Sequence, residues 1–293
     1  MFFTAMLTCQ VKMLNALGKT YIPLTAVAVS MAFHPLWCYI LVTRMHLDIV
    51  GIGIADVITN FSMLAINILY TAWSEETKEV SIMPDRRMFQ GIKEYFEIGI
   101  PSTLEYALDV WAGSMVVFAA GYIDVKSQAA FIILFNLMVL LYMLAVGLQQ
   151  ASNAIVGQLI GKNDIEGAKV FFSHLKKFSL LVIFGVMIMQ YTFRVEIIQL
   201  YTNEESVQLE ALAAIPVFVF HILPDLYKGM LRGVISALGI QKKAVYVHLA
   251  GHWGIYPLFI YIFTFKYNMR VAGIVLAKTL LEYYTAAAYT LII

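Results

Sequence analysis

Long apolar runs separated by short polar segments make up most of this chain. A helix that crosses about 30 Å of hydrocarbon needs roughly 20 apolar residues. Eight runs of about that length are present, at residues 22–43, 49–71, 98–122, 128–150, 178–200, 207–232, 244–265 and 271–292. None alternates between apolar and polar positions as the strands of a membrane β-barrel do. The pattern predicts an all-α polytopic membrane protein with about eight transmembrane helices, and residues 1–15 read as the end of a further helix.

The composition supports this class and excludes several others. Of the 293 residues, 61% are hydrophobic and 13% are charged, whereas a soluble domain carries roughly 25% charged residues. The net charge of +1 gives no sign of nucleic-acid binding. Cys9 and Cys38 are too few for a disulfide framework or a paired-cysteine zinc site. We therefore expect the lipid bilayer as the main partner and no nucleic acid.

One long polar stretch, residues 73–97, interrupts the apolar pattern. It contains Glu75, Glu76, Lys78, Glu79, Asp85, Arg86, Arg87 and Lys93. So many charges are unfavourable in hydrocarbon, which makes this stretch the predicted linker between two bundles. Two predicted helices and the end of a third precede it in residues 1–72, and six follow in residues 98–293.

The basic residues predict the orientation, because cytoplasmic loops carry an excess of Lys and Arg. The loops fall into two alternate sets, one with twelve basic residues and the other with five. The richer set holds Lys12, Lys19, Lys78, Arg86, Arg87, Lys93, Lys162, Lys169, Lys176, Lys177, Lys242 and Lys243, and the poorer set holds Arg44, Lys126, Arg194, Lys266 and Arg270. We expect the linker and both termini on the cytoplasmic side.

An internal repeat relates two stretches 221–222 residues apart. Ala16-Leu17-Gly18 recurs as Ala237-Leu238-Gly239, Pro35-Leu36-x-x-Tyr39-Ile40 as Pro257-Leu258-x-x-Tyr261-Ile262, and Gly51-Ile52-x-x-Ala55 as Gly273-Ile274-x-x-Ala277. Both copies run in the same direction through the membrane, as in transporters whose halves are related by an axis along the membrane normal. By this repeat, the partner of residues 98–293 would start more than a hundred residues before Met1. We therefore expect four helices to be absent from the chain.

An ordered series of motifs lies in the second half. It comprises Gly99-Ile100-Pro101-Ser102, Leu108-Asp109-Val110-Trp111, Asn136, Leu141-Tyr142-Met143, Gly147, the run from Val156 to Asp164 (VGQLIGKND), Leu200-Tyr201-Thr202-Asn203, and Asp225, Gly229, Gly233-Val234, Gly239 and Gln241. Together they resemble the multidrug and toxic compound extrusion (MATE) family, in its eukaryotic branch. Ile155 and Ser236 stand where the family has Arg, and Ser114 where some members have a second acidic residue.

The resemblance implies a two-lobed architecture. Residues 1–72 would be the last third of the first lobe, 73–97 the cytoplasmic linker and 98–293 a complete second lobe of six helices. It also implies a proton-coupled antiporter, not an enzyme, that exports organic cations or small xenobiotics or metabolites. Proton or sodium would be the coupling ion, and the location the plasma membrane or a vacuolar-type membrane. The alternative is a truncated, non-transporting membrane fragment or an incomplete gene model.

Acidic residues inside predicted spans are candidate proton- or cation-binding groups, since an ionised carboxyl near mid-bilayer is unfavourable unless it is paired, protonated or facing water. Asp109 lies near the middle of its span, and Glu105 precedes it by one helical turn. Asp225 matches the acidic position of the family's tenth helix. Lys228, three residues later, would form a static salt bridge with it in the competing interpretation. Lys278 and Glu282, spaced i and i+4 on the last helix, are expected to be a structural pair.

The substrate cavity is less well indicated. The resemblance suggests Asn136 as a lining residue, and Trp111 and Tyr142 could stack on a cationic or aromatic substrate. Aromatic residues make up 14% of the chain, and most of them are expected to pack or to anchor at the interface. The sequence shows neither metal-ligand spacing nor a phosphate-binding loop, and we expect neither metal nor cofactor.

Overall fold

The computed structural model describes residues 2–78 and 90–293, apart from the side chains of Phe2, Glu76, Lys78, Ile98 and Glu105. Every regular element in this part is a helix, so the predicted all-α fold class is confirmed. The chain divides into two compact units, Met1–Gly91 and Ile92–Ile293.

The described residues of the first unit form four helices. They are α1 (Phe2–Ala16), α2 (Tyr21–Cys38, which continues as a π-helix over Tyr39–Arg44), α3 (Asp48–Trp73) and the short α4 (Glu75–Lys78). Helix α2 packs along α3, where the Tyr21 and Tyr70 hydroxyl groups lie 2.9 Å apart and His34 Nδ1 lies 2.8 Å from Thr59 Oγ1.

The second unit contains the remaining helices. They are α5 (Ile92–Gly121), α6 (Val125–Gly161), α7 (Ile165–Thr192), α8 (Arg194–Gln199), α9 (Glu205–Ala237), α10 (Gln241–His248), a π-helix (Leu249–Ile255), α11 (Tyr256–Ile260), a second π-helix (Tyr261–Lys266) and α12 (Arg270–Ile292). Helix α9 is the most buried of them, and α6, α7 and α12 pack around it.

Among the described residues, five helices are long and apolar enough to cross a membrane. They are Tyr21–Arg44, Asp48–Trp73, Val125–Gly161, Ile165–Thr192 and Glu205–Ala237. The other three predicted spans are helical too. Helices α5 and α12 carry charged residues such as Asp109 and Lys278 in their interiors, and residues 244–265 are divided among α10, α11 and two π-helices. The chain is an integral membrane protein.

The largest boundary error concerns the span predicted at residues 178–200. The structure has α7 over Ile165–Thr192, a break at Phe193, and then the short α8. Helix α7 begins at an N-cap, where Asp164 accepts a hydrogen bond of 2.8 Å from the backbone N–H of Gly167. Its first turns mix apolar residues with charged ones such as Glu166 and Lys169 and precede the continuous apolar run, so hydropathy alone did not reveal them. Likewise, α5 begins at Ile92, within the stretch assigned to the linker.

The two units share a local backbone structure at the spacing of the sequence repeat. A π-helix covers residues 39–44 in one and 261–266 in the other. Positive φ angles follow at His46 and Asp48 in the first copy, and at Asn268 and Arg270 in the second. The hydrogen bond from the Leu47 N–H to the Leu41 carbonyl (3.1 Å) has its counterpart from Met269 to Phe263 (3.0 Å). The repeat therefore extends to dihedral angles and hydrogen bonds.

Helices α6 and α9 approach each other closely because α9 has small residues in contact with α6. Gly229 and Gly233 are spaced i and i+4, the small-residue pattern that lets membrane helices pack at short distance. A Cβ atom on Gly233 would lie 2.7 Å from the Ser152 Cβ atom, and one on Gly229 would lie 2.8 Å from the Ala145 carbonyl oxygen. Close packing of this kind positions the polar residues of α9 against α6.

An ion cluster joins the N-terminal ends of α6, α9 and α12. The Arg270 guanidinium, at the start of α12, donates to both oxygens of Glu210 on α9 (2.9 and 3.0 Å) and to Asp124, which caps α6. The backbone N–H of Ser127 and the guanidinium lower the pKa of Asp124. Because the carboxylate form is favoured in the folded state, this contact stabilises the fold at neutral pH and weakens as the pH falls into the acidic range.

Substitution of Gly233 should show how far the fold depends on the α6–α9 contact. We expect Gly233→Ala to destabilise the protein by about 1–3 kcal/mol, since the added methyl group overpacks the interface. The matched control is Gly147→Ala on α6, where a Cβ atom would meet nothing within 4 Å. Thermal unfolding in detergent would measure both variants, and equal midpoints would contradict the prediction.

Candidate functional site

A cavity of about 400 Å³ opens inside the second unit, between α5, α6, α9 and α12. Most of its wall is apolar, with Phe131, Phe135 and Met138 contributed by α6. Among the described residues, its charged lining groups are Asp109, Asp225, Lys228, Lys278 and Glu282. Three acidic and two basic side chains thus share one small volume within the helical bundle.

Glu282 is the centre of this charged group. It is fully buried, with one carboxylate oxygen 2.5 Å from Lys228 Nζ and the other 2.8 Å from Lys278 Nζ. A carboxylate in such surroundings needs cations close by, because the protein no longer lets water solvate it. The two ammonium groups meet this need, and together they tie α9 to α12.

The two aspartates lie at the ends of the charged group and are held less tightly. Asp225 Oδ1 lies 3.5 Å from Lys228 Nζ, and Asp109 Oδ1 lies 3.7 Å from Lys278 Nζ. Both separations exceed the length of a charged hydrogen bond. In order, Asp225, Lys228, Glu282, Lys278 and Asp109 alternate in sign, and the two terminal aspartate side chains keep 9% and 17% of their surface exposed, whereas the Glu282 side chain keeps none.

Asp109 also contacts a histidine from the neighbouring π-helix. His252 Nε2 lies 2.9 Å from Asp109 Oδ1, although the ring is not aligned to donate a good hydrogen bond. The π-helical turn at Leu249–Ile255 carries His252, and such turns often occur at functional sites. The Asp109 side chain keeps 17% of its surface exposed, whereas His252 is buried. Access to Asp109 is therefore from the cavity.

Asp109, His248 and His252 bring three potential metal ligands within 4.8 Å of one another. The two imidazole rings are stacked, with centroids 4.7 Å apart and planes inclined by 16°. Ligand lone pairs of stacked rings run side by side and do not converge on one ion. Lys278 also places a positive charge 3.7 Å from the carboxylate. The arrangement as it stands favours a monovalent positive group at Asp109 over a divalent metal ion.

Of the six residues predicted to bind a proton or cation or to line the substrate cavity, the structure brings three together. Asp109, Asp225 and Tyr142 line the cavity. Asn136 and Trp111 lie on exposed faces of α6 and α5 and do not line it. The side chain of Glu105 lies outside the described part of the structure.

Sequence reasoning missed the central part of the site. It treated Lys278 and Glu282 as a structural pair and Lys228 as a partner of Asp225 alone, whereas all three lie in the cavity wall around Glu282. Their signal was present, because two oppositely charged pairs at spacings i+3 and i+4 inside apolar spans require a reason. The contact of His252 with Asp109 joins positions 143 residues apart, and spacing along the chain does not predict it.

A family model described as MatE matches residues 101–262. The chain is 26% identical over 252 residues to multidrug and toxin extrusion protein 1 of Oryctolagus cuniculus, covering 85% of this chain and 44% of that protein. It is also 26% identical over 254 residues to protein DETOXIFICATION 22 of Arabidopsis thaliana, covering 86% and 51%. It thus spans about half the length of these curated relatives.

Solved structures show the same fold. The eukaryotic MATE transporter AtDTX14 superposes with a TM-score of 0.88 at 21% identity, over 98% of this chain and 64% of that one. The Vibrio cholerae MATE transporter VcmN, in its bent form, superposes with a TM-score of 0.82 at 16% identity, over 98% and 66%.

Removal of the central carboxylate should destabilise the second unit strongly. We expect Glu282→Gln to lower the free energy of unfolding by roughly 3–5 kcal/mol, because two buried ammonium groups lose their shared partner. Glu166→Gln is the matched control, since Glu166 pairs with Lys169 at 3.0 Å on the surface of α7 and an exposed pair contributes at most about 1 kcal/mol. Chemical or thermal unfolding in detergent would measure both, and similar losses would contradict the prediction.

Proposed function

The chain belongs to the MATE family, and on this basis we propose that it acts as a proton-coupled antiporter that exports organic cations or small metabolites. The names of the matching relatives, multidrug and toxin extrusion proteins, support transport as the activity. The coupling ion and the substrate class rest on the cavity itself.

The observation that carries the proposal is the position of Asp109. This carboxylate faces the cavity, and the Lys278 ammonium group lies 3.7 Å from it. Lys278 is paired more closely with Glu282, at 2.8 Å. A proton or a cationic substrate can therefore reach Asp109 without first breaking a tight ion pair. An enzyme would need a nucleophile or an activated base, and the cavity instead offers groups that bind and release charge.

In this proposal a proton and the cationic substrate are exchanged because they compete for one carboxylate, that of Asp109. When Asp109 is ionised, the cavity carries negative charge and attracts a cation. When Asp109 takes up a proton, that attraction is lost and the cation is released. Asp225, at the other end of the charged group, supplies a second carboxylate in the cavity lining. Alternation of the cavity between the two membrane faces would then couple proton entry to cation exit.

The remaining lining residues suit an organic cation. Tyr106, Tyr142 and Tyr256 line the cavity together with Phe131 and Phe135. Aromatic faces attract cations through their quadrupoles, and apolar walls accept the hydrocarbon part of the substrate. Sodium as the coupling ion would compete for the same carboxylate and is distinguished by the transport assay below.

The basic loops support an orientation in which the linker at 73–97 and the C-terminus both lie in the cytoplasm. The proposed location is the plasma membrane or a vacuolar-type membrane, with export directed away from the cytoplasm. The substrate and the coupling ion are the proposed partners.

Asp109→Asn tests the coupling role. We expect the variant to lose pH-gradient-driven efflux of a fluorescent organic cation from vesicles, because Asn keeps the shape of the side chain but does not exchange a proton. Wild-type rates in this variant would remove Asp109 from the mechanism. Efflux by the wild-type protein that is driven by a sodium gradient but not by a pH gradient would assign sodium as the coupling ion.

The control for this experiment is Asp164→Asn. Asp164 caps α7 through the Gly167 N–H, and Asn serves equally well as an N-cap. We expect this variant to transport at the wild-type rate, so that a general effect of removing a carboxylate is excluded.

Tags placed in the 73–97 segment and at the C-terminus test the orientation. We expect both to be protected from membrane-impermeant labelling reagents in intact cells and labelled after permeabilisation. Labelling of one tag alone in intact cells would contradict the proposed topology.

A further inference from the structure

We propose that helix α7 carries a binding site for an anionic phospholipid. The phosphate of the lipid lies at Lys176 and Lys177, and one acyl chain lies along the apolar face of the helix that follows them. The site is separate from the cavity around Glu282, and its occupation by lipid does not depend on the proposed transport activity.

Helix α7 packs against the rest of the second unit through one face. Leu175, Ser179 and Ile183 are buried, and the Ser179 hydroxyl lies 3.5 Å from the Met230 sulfur on α9. Positions four apart lie on the same side of an α-helix. The opposite side of α7 therefore points away from the bundle, towards whatever surrounds the protein in the membrane.

The outward side begins with a lysine and continues as hydrocarbon. Lys177, Leu181, Phe184 and Ile188 follow the helical repeat, and all four are exposed, Leu181 at 72% and Ile188 at 67%. A helix rises about 16 Å over these eleven steps, which is about half of the 30 Å hydrocarbon thickness. The stripe therefore has the depth of one leaflet, with a positive charge at its outer end.

The lysines at this end have no acidic partner among the described residues. Lys176 and Lys177 are exposed and form no ion pair there. Helix α6 contains no acidic residue, and on α9 the charged residue closest to this end is Arg232, which is also basic. The nearest carboxylate on α7 itself, that of Glu166, pairs with Lys169. The positive charge of the two lysines is thus left to a partner outside the bundle.

A phospholipid matches both parts of this surface. Its phosphate is attracted by the lysines, and each basic residue near an anionic membrane surface contributes about 1 kcal/mol, or about fivefold in affinity. Its acyl chain contacts the stripe of Leu181, Phe184 and Ile188. A soluble anion would use the lysines alone, and a phospholipid without net charge would use mainly the stripe. An anionic phospholipid uses both.

Lys126, at the start of α6, supplies a control for the stripe. It is exposed and forms no ion pair among the described residues. The positions at the same spacing after it are Ala130, Ile133 and Leu137, and all three are buried in the core. An acyl chain has no surface to follow there, so a lysine in this place is not expected to hold a lipid.

Lipid binding to the purified protein in detergent tests the proposal, with bound lipids counted by native mass spectrometry. The probes are 1-palmitoyl-2-oleoyl phosphatidylglycerol, which is anionic, and the phosphatidylcholine with the same acyl chains. We expect the wild-type protein to bind the anionic lipid at least about tenfold more tightly. Equal affinity for the two lipids overturns the proposal.

Substitutions assign the preference to α7. Lys176→Gln/Lys177→Gln removes both charges, and we expect the preference for the anionic lipid to fall by about tenfold or more. Lys126→Gln, the matched control, should keep the wild-type ratio. An equal fall in the two variants would reveal a general attraction of anionic lipid to basic residues, and the assignment to α7 would be wrong. Since all three lysines are exposed, both variants should unfold at the wild-type temperature.

Glycerol 3-phosphate distinguishes a lipid site from a site for soluble anions, because it has the phosphate and lacks the acyl chains. We expect a large molar excess of it to leave phosphatidylglycerol bound. Displacement of the lipid would show that the stripe plays no part, and would overturn the proposal. Transport is not measured in any of these experiments, so their outcome is independent of the role proposed for Asp109.

Discussion

A carboxylate with no contact with water constrains the second unit more than any other group. Glu282 is fully buried on α12, and an isolated charge there would be strongly unfavourable. Lys228 must therefore point from α9 towards α12, and Lys278 must reach one turn forward along α12 to Glu282. This requirement holds α9 and α12 together, and the same two lysines face Asp225 and Asp109 in the cavity lining.

Close packing of small residues also fixes the position of α9, in this case against α6. Gly229 and Gly233 let α9 lie directly against α6, so the face of α9 that bears Asp225 and Lys228 is held at a set depth in the bundle. Since apolar surfaces gain little from association within lipid, membrane helices rely on such contact and on polar interactions. In this unit both occur on one helix, and the cavity lies between α5, α6, α9 and α12.

The sequence was informative where a single helix carried the signal. Apolar runs predicted most of the helices, and intramembrane acidity pointed to Asp109 and Asp225. It failed where the decisive contact joined distant segments. The start of α7 was missed because charged residues interrupt the apolar pattern of its first turns. The role of Glu282 was missed because its second partner, Lys228, lies 54 positions away on another helix. His252 lies on a π-helical turn, and the hydropathy pattern does not indicate where such turns occur.

The paired turns at residues 39–51 and 261–273 bear on the history of the chain. Asp48 and Arg270 occupy the same place in the two copies and share an unusual backbone conformation, with φ angles of 44° and 51°. One carries a negative charge and the other a positive charge, and Arg270 is the residue that joins Glu210 and Asp124. A duplicated segment has thus kept its main-chain shape while its side chains diverged to opposite chemistry. In this pair of turns the backbone dihedral angles are the shared feature, and the side-chain charge is the feature that differs between the copies.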